Sequence, residues 1–147
     1  MAGWSLSDIA WDAFDARRVD PEIVPIIKAA SLVEANAESY RAYLNEVFRD
    51  DARMQASIEG WAKEEVQHGH ALGRWAEMAD PSFSFDECFE RFREGFQLPQ
   101  GVDASVRGSM SGELIARCMV ETGTSTYYSA LAEATEEPVL KLSLIHI

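Results

Sequence analysis

The run Ile58-Glu59-Gly60-Trp61-Ala62-Lys63-Glu64-Glu65-Val66-Gln67-His68-Gly69-His70-Ala71-Leu72-Gly73-Arg74-Trp75-Ala76-Glu77-Met78-Ala79 carries a seam at every third and fourth residue: Ile58, Trp61, Glu65, His68, Leu72, Trp75 and Ala79. That recurrence is the period of a helix burying one face. Five of the seven seam residues are apolar; the other two, Glu65 and His68, are a carboxylate and an imidazole three apart. On a helix they lie one above the other on the same face. A buried charge without a partner is costly, and a metal ion is the simplest partner that both groups can share.

Upstream, Asp20-Pro21-Glu22 reads as a helix start, with Asp as N-cap and Pro in the first turn. Pro25 is early enough to be tolerated, and nothing breaks the expected helix before about Asp50. Its stripe is Ile27, Ala30, Glu34, Ala37, Leu44 and Phe48. A turn near 50–53 leads into the central helix, which ends at Asp80-Pro81. Ser84-Phe85-Asp86-Glu87 is a capping box opening a short helix whose Phe85, Phe89, Phe92 and Phe96 form an expected core stripe. Glycines and Pro99 mark 95–112 as a loop. The next helix is expected from Ser111 or Gly112 to about Ala134, with a seam of Leu114, Cys118, Glu121, Ser125, Tyr128 and Ala132. Glu136-Glu137-Pro138 opens a last helix. No strand period occurs, so the class is all-α. The expected division is an N-terminal arm at 1–19, a helical bundle at 20–141, and a tail at 142–147 whose uncharged Leu-Ser-Leu-Ile-His-Ile reads as non-native.

The 147 residues fit one domain with a core that needs no staples. A net charge of −12 disfavours nucleic acid as a partner. No apolar run approaches a membrane span, and no basic leader region precedes the first residues, which favours a cytoplasmic location. Cys88 and Cys118 form no CxxC pair, as expected of a reducing compartment without a zinc knuckle or iron–sulfur set.

Three expected long helices thus each place a carboxylate in an apolar seam: Glu34, Glu65 and Glu121, with His68 beside the second. Carboxylate-bridged four-helix proteins draw one Glu from each of two helices and a Glu-x-x-His from each of the other two. Glu34 and Glu121 match the single donors, and Glu65 with His68 matches one Glu-x-x-His. His70 and Glu64 lie off the seam and are expected to face solvent. Trp61, Tyr128 and Thr124 each have a core or backbone-bonded role beside any chemical one.

Trp61-Ala62-Lys63-Glu64-Glu65-Val66-Gln67-His68-Gly69 resembles the Trp-x-x-Glu-Glu-x-x-His-Gly run of the acyl-carrier-protein desaturases, within the ferritin-like superfamily. Glu34-Ala35 and Glu121-Thr122-Gly123-Thr124 are similar to that family's first and third ligand regions, and the resemblance spans roughly Val33 to Lys141. It implies a ferritin-like four-helix bundle, incomplete here because the fourth helix is truncated. It further implies metal ligation by Glu34, Glu65, His68 and Glu121, with Thr124 near the oxygen site. Two iron ions are implied in the complete chain, with manganese as an alternative. The implied partners are dioxygen, a small-molecule or acyl substrate, and an electron donor, with a homodimer as the expected assembly. An acidic carrier protein would need a basic patch, for which Arg17, Arg18 and Lys28 are the candidates. Competing expectations are an iron-handling or peroxide-scavenging protein on the same bundle, as in ferritin and rubrerythrin, and a non-catalytic bundle with structural seam acids.

Overall fold

A computed structural model describes residues 4–146 and is all-α; no strand occurs among the described residues. Six α-helices follow an arm of three single 3-10 turns: α1 (Val24–Ala35), α2 (Ala37–Val47), α3 (Ala52–Ala79), α4 (Phe85–Gly95), α5 (Met110–Ala134) and α6 (Pro138–His146). α1 and α2 form one bent rod along α3, α4 packs across α1 and α3, and α5 packs chiefly on α6, which rests on α3. Among the described residues, no helix is long and apolar enough to cross a membrane.

Side-chain caps set several boundaries. The Asp51 carboxylate accepts from Met54 N–H, Ser84 Oγ from Glu87 N–H and Ser109 Oγ from Gly112 N–H. Each satisfies a donor that the first helical turn leaves free. Asp20 instead closes a local turn by accepting from Glu22 N–H at 2.8 Å, so α1 begins at Val24 with Pro25 in its first turn. The expected unbroken helix to Asp50 is corrected at Asn36. There Asn36 N–H bonds the Val33 carbonyl, Ser39 N–H bonds the Asn36 carbonyl, and Ser39 Oγ donates to Asn36 Oδ1. Asparagine offers the backbone such alternatives to the helical ladder.

Two glycines let neighbours approach α3 closely. A Cβ on Gly69 would stand 2.4 Å from Ala35 N, and one on Gly73 would stand 2.5 Å from the Phe85 ring. α1 and α4 therefore lie nearer to α3 than alanine would allow.

The apolar core divides in two along α3. Ile27, Leu72, Trp75, Leu131, Leu140 and Leu144 belong to the larger cluster, and Tyr43, Leu44, Val47, Phe48 and Ile58 to the smaller. Glu65 and His68 fall between them. Burying Ile27, Leu72, Leu140 and Leu144 contributes about 1.5–3 kcal/mol each, enough together to offset several desolvated polar groups in the gap. The segment read as a tail continues α6 through residue 146, and Ser143 and Leu144 are buried. Glu137 is fully buried and satisfied: its carboxylate accepts from Trp75 Nε1–H, Leu140 N–H and Asp15 N–H, tying α3, α6 and the arm together.

Two expected stripes are only partly core. Phe85 is buried, but Phe96 is 38% exposed, and Phe92 stacks on Phe96 at the margin of the short helix. On α5 the seam is covered at Tyr128 and Ala132, whereas its members Leu114, Cys118 and Ser125 are exposed. The first turns of α5 meet α2 through polar side chains instead: buried Glu113 accepts from the Tyr43 hydroxyl, and Arg117 lies 4.6 Å over the Tyr40 ring.

Candidate metal centre

Glu34 on α1 and Glu65 and His68 on α3 converge in the gap between the two apolar clusters. One ligand atom from each lies within 4.8 Å of the other two. His68 Nδ1 stands 3.5 Å from Glu65 Oε2 and 3.9 Å from Glu34 Oε2. It is buried and has no hydrogen-bond partner among the described residues. The convergence follows from local structure: Glu65 and His68 share a face of α3, and the Gly69–Ala35 approach brings the last turn of α1 against them.

Burial shapes the protonation of this group. Desolvation, then a hydrogen bond and repulsion from Glu65, push the Glu34 carboxyl from the ordinary 4.5 up to about 8. At neutral pH Glu34 therefore holds a proton. Glu65 is also raised, first by burial, against hydrogen bonds from Glu34 and Trp61 that lower it. Burial lowers the His68 imidazole, which keeps the ring neutral with a lone pair to give. Two crowded carboxyls beside a neutral imidazole with an unmatched nitrogen form a donor set suited to a divalent cation such as Fe²⁺. A cation would displace the Glu34 proton and give His68 Nδ1 its missing partner.

Glu121 reaches the same place from α5 without joining the three-residue group. It lines a cavity of about 140 Å³ with Glu34, Glu65, Trp61 and Tyr40. Its carboxyl is raised by burial and by Glu34, and lowered by Arg117 and by a hydrogen bond from the Trp61 indole. Trp61 lines the cavity between Glu65 and Glu121 and lowers both carboxyls. Thr124 lines this cavity too, but its hydroxyl donates to the Val120 and Glu121 carbonyls of its own helix. Glu64 and His70 are exposed, as their place off the seam predicts.

Two contributors were not singled out by spacing. Tyr128, read from the sequence as a core residue, is buried and its hydroxyl donates to Glu34 Oε1. Its place two turns beyond Glu121 in the α5 seam is the signal that could have marked it. Trp4 of the arm stacks on the His68 ring with centroids 5.6 Å apart and planes 6° from parallel; no periodicity links it to His68. Arg17 pairs with Asp15, Arg18 lies 3.7 Å from Asp15, and Lys28 pairs with Asp80, so these three cations are already engaged.

Comparison with protein-family models, curated proteins and solved structures gives no match for this chain.

Proposed function

We propose that the chain is a ferritin-like, carboxylate-bridged iron protein that acts as an oxidoreductase on dioxygen. The observation that carries this proposal is the buried convergence of Glu34, Glu65 and His68 around an imidazole nitrogen that no described residue hydrogen-bonds. Those three residues would hold the first ion, and Glu121 faces the same cavity from α5. When bound, iron supplies the one-electron redox steps by which dioxygen is reduced and an organic substrate oxidised.

The chain's own residues do the rest. Tyr128 holds Glu34 in place through its hydroxyl. With no metal bound, Glu34 keeps a proton at neutral pH, and that proton leaves when a cation enters. The cavity beside Glu34 and Glu121 suits a molecule of a few atoms, such as dioxygen or water. A second, largely apolar cavity of about 360 Å³, lined by Leu44, Phe48, Ile58 and Leu114, adjoins it and shares Trp61, Arg117 and Glu121. It provides room for an apolar substrate next to the carboxylates.

The test is to load the full chain anaerobically with ferrous iron, then admit dioxygen. Stoichiometric oxygen uptake with conversion of ferrous to ferric iron, abolished in Glu65→Ala, supports the oxidoreductase reading. Saturation at two ions per chain supports the paired-ion form. Continued mineral deposition at high loading would move the protein to iron storage. Absence of uptake leaves a structural bundle.

A further inference from the structure

The arm is fastened to α3 at two points and to the start of α6 at a third. Gln67 Nε2 donates to the Trp4 carbonyl at 2.9 Å, Arg74 lies 4.3 Å over the Trp11 ring, and Asp15 N–H bonds Glu137 Oε1. Ile9 is buried between these points. The first fastening puts the Trp4 indole flat against the outer face of His68, and His68 is only 7% exposed as a result of this and the helix packing.

We infer that Trp4 is a positioning residue for His68: the arm lays an aromatic plane on the imidazole and holds it in the orientation that turns Nδ1 toward Glu34 and Glu65. This rests on the proposal that those three residues bind a metal. A histidine ring turns in a broad torsional well, so something must select its plane. Nδ1, the nitrogen turned toward Glu34 and Glu65, has no hydrogen bond among the described residues to hold that plane, and the flat surface against the ring is the Trp4 indole. Offset aromatic stacking at this separation is favourable, and a ring turned out of its plane would collide with Trp4. The fastening at Gln67, one residue before His68, keeps the indole in register with the imidazole.

Trp4 also packs on the edge of the larger apolar cluster, so the test must separate positioning from packing. Cobalt(II) is titrated anaerobically into the full chain and into Trp4→Phe, Trp4→Leu and His68→Ala, with the visible absorption of the bound ion and the metal-free melting curve recorded for each. Trp4→Phe retains a flat ring and should bind within about threefold of the unmodified chain. Trp4→Leu retains apolar bulk without the plane; it should bind about 10–100-fold more weakly, with an altered absorption envelope. A Trp4→Leu protein that binds as tightly as the unmodified chain, with the same spectrum, overturns the inference whatever happens to its melting curve. Should Trp4→Leu fail to fold, Gln67→Leu loosens the same fastening; unchanged affinity there is equally contrary. If the unmodified chain and His68→Ala are alike in taking up no cobalt, the metal reading itself fails and this inference falls with it.

Discussion

Replacing Glu34 by glutamine should stabilise the metal-free protein, although it removes a ligand. The Glu34 carboxyl is 7% exposed and titrates near about 8 instead of 4.5. The folded chain therefore holds a proton that the unfolded chain gives up between those values. The stability associated with that proton is complete below 4.5 and is lost as pH rises through 8. His68 runs the other way: its lowered value means stability present above the ordinary 6.5 and lost as pH falls. The window free of His68 is thus pH 6.5 to 8, where linkage at about 1.4 kcal/mol per pH unit removes roughly 1.5–2 kcal/mol from the unmodified chain. The amide in Glu34→Gln keeps an acceptor for Tyr128 and carries no charge to desolvate. The substitution should flatten that slope, leaving the part due to Glu65 and Glu121, which burial also raises, and should increase stability at pH 8 by on the order of a few kcal/mol. Urea unfolding of both proteins at pH 6.5 and 8, with chelator present, reads the effect. If the two lose stability in parallel between those pH values, or if the Glu34→Gln protein is the weaker at pH 8, the carboxyl is not desolvated and the account of the site is wrong.

Gly69→Ala should destabilise, because its Cβ would meet the Ala35 backbone at 2.4 Å; an overpacking cost of about 1–3 kcal/mol or more exceeds the helix-propensity gain of about 1 kcal/mol. Gly60→Ala on the same helix has nothing within 4 Å of the new Cβ and should stabilise by up to about 1 kcal/mol; opposite signs in denaturant midpoints check the pair. In Tyr128→Phe, Glu34 loses the hydrogen bond that lowers it, so the decline in metal-free stability should extend to higher pH, and a profile identical to the unmodified chain would contradict that bond. Glu137→Ala strands the Trp75, Leu140 and Asp15 donors and should cost about 3 kcal/mol or more, accompanied by faster proteolysis before residue 20.

The sequence made the helices legible where one strong signal governed them. The central seam fixed α3 to its end at Asp80, and Ser84 marked the start of α4, because caps and periodicity act within a few residues. Asn36 was opaque for the converse reason: the break lies in the backbone bonds of Asn36 and Ser39, with no side-chain cap and no proline or glycine to mark it. Glu34, Glu65 and His68 could be read from their seams, since a polar group in an apolar stripe must find a partner wherever the stripe is buried. Glu121 was placed on the correct helix, yet α5 stands off from the three-residue group, and no spacing within α5 reports its distance from α3. Trp4 lies 64 positions from His68 in the chain. Their stacking comes from the path of the arm, which depends on Arg74 and Glu137 as much as on the arm's own residues.

Anaerobic calorimetric titration of ferrous iron into the full chain and into His68→Ala, in buffers of differing ionisation heat at pH 7, tests the site most directly. The Glu34 proton must leave when a cation enters, so the unmodified chain should show saturable binding with release of about one proton per site. His68→Ala should bind at least about tenfold more weakly while its metal-free melting temperature changes little. Ferrous iron that gives no saturable heat, or that binds both proteins alike without proton release, would contradict a centre built from Glu34, Glu65 and His68.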